Sequence, residues 1–110
     1  VLLLGADDFE GAETQFKKAI ELKPDYDNAI YNLGVTYLKW GTYLNKKSDE
    51  EGKVSDEYKE KYRLALEPLE KAVQMDDANS QTWELLGRVY SVLGMQDDAN
   101  NAFKKADEMR

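Results

Sequence analysis

Residues 80–110 read SQTWELLGRVYSVLGMQDDANNAFKKADEMR, and this stretch decides the fold. Small and large residues recur through it at helical spacing, in the order Trp83, Leu86, Gly87, Tyr90, Gly94, Ala99, Phe103 and Ala106. Glycine and alanine at such places let two antiparallel helices approach closely, and the large residues fill the space around the contact. We therefore predict a helical hairpin here, with helices over residues 80–93 and 96–109.

The same pattern occurs twice more, in part, earlier in the chain. A second unit consists of Ile30, Leu33, Gly34 and Tyr37 and then, much later, Ala65, Leu69 and Ala72. The second half of a further unit consists of Phe9, Ala12, Phe16, Ala19 and Pro24. Strands have little support, because strict period-two alternation is absent. The pattern predicts further helices over residues 8–23, 26–46 and 55–75.

These residues resemble the tetratricopeptide repeat (TPR), a helix–turn–helix unit of about 34 residues. The unit over 80–110 carries nearly the whole motif, and the unit over 1–26 keeps its second helix, a stub of the first and the closing Pro24. The unit over 27–79 has both halves. The resemblance implies an all-α domain over residues 1–110, in which about two and a half repeats of antiparallel helical hairpins stack as an α-solenoid.

The middle unit is lengthened by about 19 residues when it is aligned with the repeat. The inserted stretch, residues 41–61, reads GTYLNKKSDEEGKVSDEYKEK, a charged run that is compatible with a disordered loop. Large residues at helical spacing nevertheless continue both flanking helices into it, namely Trp40, Tyr43 and Leu44 on one side and Val54, Tyr58 and Tyr62 on the other. We favour a protruding arm, in which both helices are longer and their aromatic residues close against each other. Within the second of these helices, Pro68 removes an amide donor, so we expect a bend of more than about 20° near Leu64.

Composition excludes several classes of function. The net charge of −7 and the isoelectric point near 4.6 argue against a nucleic-acid partner. The chain has no histidine and no cysteine, which removes the usual proton shuttle, the thiol nucleophile and most transition-metal ligands. We therefore expect no enzyme, no catalytic residue and no cofactor. No apolar run is long enough to cross a bilayer, so membrane insertion is not expected.

The acidic stretch over residues 49–60 is the best candidate for a calcium loop. It begins and ends on an acidic residue, as a 12-residue calcium loop does. Inside it, however, Lys53 occupies a ligand place and Val54 stands where the turn needs glycine. We therefore expect no metal site.

The resemblance implies a binding surface for a protein or peptide. In TPR proteins the first helix of each hairpin lines a concave groove that holds a peptide or helix of a partner. Carried over by position, the groove residues are Asn28, Tyr31, Asn32, Val35, Lys39, Gln81, Glu84, Leu85 and Arg88. Asn32 can donate to and accept from a peptide backbone, Tyr31 offers flat apolar area and Arg88 can hold a carboxylate. The alternative for each residue is an ordinary solvated helix face.

One subfamily is disfavoured. Co-chaperone TPR domains hold the C-terminal carboxylate of heat-shock chaperones with a clamp of lysine, asparagine and arginine residues. Asn32 matches one place of that clamp, but Gln81 and Leu85 occupy two others and Val1 a third. A receptor for chaperone tails is therefore not expected.

Two functions stay open. The first is an interaction scaffold that holds a peptide or helical segment of a partner in the groove. The second is an assembly or oligomerisation element of a larger complex, without a separable peptide ligand. We also expect the chain to be a fragment with apolar ends, Phe9 and Phe16 at one and Phe103 and Met109 at the other, that favour self-association.

Overall fold

The computed structural model describes residues 8–53, 55–75 and 79–109. Within these residues the chain forms α1 (Phe9–Leu22), α2 (Asp27–Glu50), α3 (Glu57–Met75), α4 (Ser80–Val92) and α5 (Gln96–Glu108), and no strand. Each helix packs on its neighbours in the chain, so that α1 contacts α2, α2 contacts α3, α3 contacts α4 and α4 contacts α5. The predicted all-α stack of antiparallel hairpins is confirmed. The repeat boundaries stay a prediction.

Side-chain caps fix the starts of two helices. The Asp8 carboxylate accepts a hydrogen bond from the Gly11 amide at 3.1 Å and caps α1. The Asn79 side-chain oxygen accepts from the amides of Gln81 and Thr82, at 2.8 and 3.3 Å, and caps α4. Such caps satisfy amides that have no partner inside the helix and typically stabilise it by about 1 kcal/mol.

Helix α2 ends four residues later than the prediction, at Glu50. Lysine and glutamate in its last turn are good helix formers, so the charged run continues the helix. The chain turns only at Gly52, whose φ of 68° lies in the left-handed region that glycine adopts without strain. Gly94, with a φ of 78°, makes the turn between α4 and α5 in the same way.

The two motif glycines lie where helices approach closely. A Cβ built on Gly34 would lie 2.7 Å from Leu69 Cδ2, and one built on Gly87 would lie 2.8 Å from Phe103 Cε1. Both glycines are buried. The predicted contact between small residues of one helix and large residues of the next is confirmed in both hairpins.

The central core lies between α2, α3 and α4. Its buried members are Leu33, Tyr37, Tyr62, Ala65, Leu69, Val73, Leu86 and Val89. Leu69 is fully buried at the middle of α3, and Pro68 beside it is buried as well. Helix α3 runs without a break through Pro68 from Glu57 to Met75, and the expected bend near Leu64 stays a prediction.

The insertion lengthens both helices of the middle hairpin, as predicted, and its base is tightly packed. A Cβ on Gly41 would lie 3.0 Å from the Tyr58 carbonyl oxygen and 3.1 Å from the Tyr62 ring. The hydroxyls of Thr42 and Tyr62 are hydrogen-bonded at 2.7 Å. A third glycine thus brings the two helices together inside the insertion, which we name the arm (residues 41–61).

The aromatic residues at the base of the arm cover α1, which corrects one expectation. Phe9 was expected to be uncovered, yet only 7% of it is exposed. Its ring stacks on Trp40 at a centroid distance of 5.8 Å and meets Tyr43 at 5.7 Å. Trp40 and Tyr43 therefore pack on Phe9 of α1, a contact that was not expected, since the prediction had the aromatic residues of the two extended helices closing against each other. The physical reason is that α2 packs antiparallel on α1, so that Trp40 lies beside the first residue of α1 and Tyr43 lies about one turn further along α2.

Trp40 also contacts α3. The Lys61 ammonium lies 3.6 Å from the centroid of the Trp40 ring, a cation–π contact across the hairpin.

At the other end of the chain, Phe103 and Met109 are each 36% exposed. That exposure agrees with the expected apolar end, and self-association stays a prediction.

Candidate functional site

A cleft separates the first turns of α2 and α4, on the face where a groove was predicted. It has a volume of about 280 Å³. Its lining consists of Asp27, Asn28, Tyr31, Ala72, Asn79 and Thr82. Since α3 runs antiparallel to both helices, α2 and α4 point the same way and their N-terminal ends meet here. We refer to the face that these two helices share as the predicted groove.

Two of the predicted groove residues, Asn28 and Tyr31, line this cleft. The remaining lining residues were not among those predicted. A helix-start signal was available for Asn79, because asparagine before Ser80 is a favoured cap. Thr82 and Ala72 are buried, and only the packing of α3 against α4 brings them to the cleft.

The other predicted residues on α2 continue away from the cleft along one face. The Asn32 side-chain amide donates to the Asn28 side-chain oxygen at 2.7 Å, which orders both side chains. Asn32 and Val35 are half-buried, and Lys39 is exposed. The spacing of four, three and four residues between these positions keeps them on one side of the helix.

On α4 the predicted residues divide into two kinds. Gln81 and Arg88 are exposed, and Glu84 and Leu85 are half-buried. Leu85 packs against the central core. It therefore contributes to holding α4 in place as well as to the surface beside the cleft.

Two hydrogen bonds between hairpins hold the groove helices in position. The Tyr37 hydroxyl on α2 donates to the Glu13 carboxylate on α1 at 2.5 Å. The Tyr90 hydroxyl on α4 donates to the Glu70 carboxylate on α3 at 2.5 Å. Each bond joins the first helix of one hairpin to the second helix of the hairpin before it, and we name the two bonds the Tyr–Glu bonds.

The environment of both phenols favours their protonated form. Burial is the largest cause, and the hydrogen bond to a carboxylate is the next; together they raise the pKa of Tyr37 and the pKa of Tyr90 well above the ordinary value. The two glutamates that accept these bonds occupy different positions of the repeat. Glu13 directly follows Ala12. Glu70 directly follows Leu69, which is equivalent to Phe16 in the repeat pattern. The same kind of hydrogen bond therefore joins both pairs of neighbouring hairpins, although the repeat positions of the two glutamates differ by one helical turn.

The described residues contain neither a metal-binding group nor a spanning helix. No three acidic side chains come together among residues 8–53, 55–75 and 79–109 in a way that could hold a metal ion. None of the helices in this part of the chain has the length and the apolar character needed to cross a membrane.

Comparison with known proteins agrees with this architecture. Residues 7–41 match the family model described as TPR repeat. This part of the chain is therefore similar to a TPR repeat. The matched stretch contains α1 and the first half of α2, and it ends at Gly41, the first residue of the arm.

Among solved structures, the chain is similar to one described as the crystal structure of MamA. The two are 21% identical, the alignment covers 100% of this chain and 77% of that one, and the TM-score is 0.45. A comparison with curated proteins gives no match. TPR repeats generally mediate protein–protein interaction, through the extended concave surfaces that stacked hairpins create.

Proposed function

We propose that this protein is a non-catalytic interaction scaffold that holds a peptide or helical segment of a partner protein in the groove between α2 and α4. The observation that carries the proposal is the cleft of about 280 Å³ at the N-terminal ends of these helices. It combines the half-buried ring of Tyr31 with the polar side chains of Asn28 and Asn79. Apolar area beside a few fixed polar groups is the usual composition of a binding cleft.

Each part of the proposed groove has a role in peptide capture. Tyr31 supplies rigid contact area at a low cost in side-chain entropy. Asn28 and Asn32, ordered by their mutual hydrogen bond, offer donors and acceptors to a peptide backbone. Arg88 and Lys39, both exposed, offer cationic ends for a partner's carboxylates. The acidic net charge of −7 supports a protein partner over a nucleic acid.

The test uses a peptide selected for binding to this protein from a displayed random library, with affinity then measured by fluorescence anisotropy. We expect Tyr31→Ala to weaken binding by about tenfold or more, as loss of an aromatic anchor usually does. Asn28→Ala should weaken it less, by a few-fold. The matched control is Asn101→Ala on the exposed face of α5. Equal affinities for the Tyr31 variant and the control would contradict the proposal.

A second candidate function is assembly into a larger complex. The observation that favours it is the exposed apolar area of the last hairpin, where Val92, Met95, Phe103 and Met109 are each 36 to 38% exposed. Sedimentation velocity separates the two functions. If assembly is the function, Val92→Lys with Met109→Lys will reduce the sedimenting mass, while Tyr31→Ala leaves it unchanged. If groove binding is the function, the lysine substitutions will leave peptide affinity unchanged.

A further inference from the structure

The arm carries the groove face of α2 beyond the repeat stack. Four predicted groove residues, Asn28, Asn32, Val35 and Lys39, follow one another at steps of four, three and four residues. The same series continues without interruption into the arm, as Tyr43, Lys46 and Glu50. All seven positions lie within one unbroken helix, Asp27–Glu50, and therefore on one side of it. We name the outer part of this series, from Lys39 to Glu50, the arm stripe.

The arm stripe is exposed to solvent and borders a cleft. Lys39, Tyr43, Lys46 and Glu50 are all exposed. A cleft of about 330 Å³ lies along this part of α2, lined by Tyr43, Lys46, Lys47, Glu50 and Glu51. It begins two turns beyond Val35, or about 12 Å along the helix axis. The stripe therefore lies within reach of any segment that leaves the groove along α2.

The Tyr43 ring is held in place by its contact with α1, and part of it is exposed to solvent. Its ring packs on Phe9 at a centroid distance of 5.7 Å, and 37% of the residue is exposed. The Lys47 ammonium lies 6.0 Å from the ring centroid, on the same turn. A ring anchored in this way offers apolar area to a ligand without a large loss of side-chain entropy.

The charge of the arm stripe is opposite to that of the whole chain. Among the described residues, ion pairs engage Lys17, Lys53, Lys59 and Arg63, whereas Lys39 and Lys46 form none. Of the two acidic residues at the outer end of the cleft, Glu51 lies 3.5 Å from Lys53 and is thereby partly neutralised. With two lysines and one glutamate, Glu50, around an exposed tyrosine, the arm stripe has an excess of one positive charge on a chain of net charge −7.

We infer that the arm stripe is a contact site for a peptide segment that carries acidic residues and an aromatic residue. This site is separate from the cleft between α2 and α4. Carboxylates of the segment pair with Lys39 and Lys46, which lie two helical turns, or about 10 Å, apart. A segment in the polyproline II conformation advances about 9 Å in three residues and returns to the same side, so acidic residues at every third position match the two lysines. The site does not require the groove to be occupied, and in a long partner it would bind the acidic sequence that flanks the groove segment.

The experiment uses an isotope-labelled sample of the full chain and a synthetic acidic peptide of about ten residues, with glutamates at every third position and one phenylalanine. A matched peptide has glutamine in place of each glutamate. We expect saturable amide shift changes at Tyr43, Lys46 and Lys47 with the acidic peptide only. Because exposed charge pairs are screened by salt, the affinity should fall several-fold when the ionic strength rises from about 0.05 to 0.5 M.

Charge reversal supplies the matched variants. Lys39→Glu with Lys46→Glu should weaken binding of the acidic peptide by about tenfold. Lys104→Glu with Lys105→Glu, on exposed positions of α5, changes the net charge equally and should weaken binding less than about twofold. The neutral pair Lys39→Gln with Lys46→Gln gives an intermediate loss and preserves helix formation.

Three results would overturn the inference: shift changes centred on α5, equal losses for the two charge-reversed pairs, or no saturable binding of the acidic peptide. Tyr31→Ala separates this site from the groove. That substitution should leave binding of the acidic peptide unchanged, and a parallel loss would assign the peptide to the groove and overturn the separate site.

Discussion

Gly34 and Gly87 occupy equivalent positions in two hairpins, but the side chains packed against them differ in their freedom to move. Gly34 faces Leu69, which is 0% exposed and enclosed by the core. Gly87 faces Phe103, which is 36% exposed. A ring at the surface can turn outward to admit a methyl group, whereas a leucine in a closed core has no space to move into. At the scale of single residues, two glycines at equivalent motif positions therefore differ in how well they tolerate a larger side chain.

This difference makes a prediction about alanine substitutions. Gly34→Ala should lower the free energy of unfolding by about 1–2 kcal/mol, because overpacking outweighs the gain in helix propensity of about 1 kcal/mol. Gly87→Ala should change it by less than about 0.5 kcal/mol, since movement of Phe103 relieves most of the strain and the remaining strain offsets the gain in helix propensity. Urea denaturation of the two variants measures the difference. A larger loss at Gly87 than at Gly34 would contradict the argument.

The Tyr–Glu bonds predict a response to alkaline pH. Because the pKa of each phenol is raised in the folded protein, the bonds contribute their full stability below the unfolded value of about 10 and lose it as pH rises above that. Tyr90→Phe should cost about 1 kcal/mol at neutral pH, and its unfolding free energy should fall less steeply above pH 10 than that of the wild type. Denaturant unfolding at pH 8 to 11 tests this, with Tyr26→Phe, an exposed phenol, as the control.

At the scale of helices, α2 is the element on which the rest of the molecule depends. It contributes Leu33 and Tyr37 to the core, Gly41 to the base of the arm and Trp40 to the cover over Phe9. At 24 residues it is about 36 Å long, far beyond the length that a single repeat needs. One long helix thus joins the repeat stack to the arm and provides one wall of the groove.

The cover over Phe9 can be tested by removing its parts. Trp40→Ala should destabilise the fold by about 3 kcal/mol, because it exposes Phe9 and deletes an aromatic contact. Lys61→Met, which keeps the alkyl chain and removes the charge, should cost only about 0.5–1 kcal/mol through loss of the cation–π contact. Thermal unfolding measures both. Lys18→Met on the exposed face of α1 serves as the control, and a Lys61 variant indistinguishable from it would show that the cation adds nothing.

At the scale of the whole molecule, stability is concentrated in the middle of the stack. The central buried cluster draws its members from α2, α3 and α4, whereas α1 and α5 each pack on one neighbouring helix. In a stack where each element contacts only its neighbours, the terminal elements open at lower free energy than the central ones.

Hydrogen exchange should report this gradient directly. We expect the slowest amide exchange in the middle turns of α2, α3 and α4, and exchange in α1 and α5 that is faster by an order of magnitude or more. Leu69→Ala, at the centre of the core, should lower the protection of α2, α3 and α4 together by about 3 kcal/mol and that of α1 and α5 by less, because the terminal helices open without unfolding the core. Uniform protection across the chain would contradict a stack of unequal elements.

Local periodicity was sufficient to predict the helices, the hairpin pairing and the close contacts at Gly34 and Gly87. These features depend on residues a few positions apart, whose spacing places them on one helix face whatever the remainder of the chain does. The same periodicity predicted that residues 41–61 extend two helices. The resemblance to the TPR repeat, carried over by position, placed Asn28 and Tyr31 on the face that forms the cleft.

Only the tertiary structure decided the rest, because those contacts depend on how far one helix reaches along another and how it is rotated. The stacking of Trp40 on Phe9 needs α2 to lie antiparallel along the whole of α1, and the bond between Tyr37 and Glu13 needs a particular rotation of one hairpin on the next. Neither quantity is encoded in the spacing within a helix. Side-chain packing over the whole chain selects both, so the sequence by itself determined which hairpins form, and their packing determined what covers α1 and what lines the cleft.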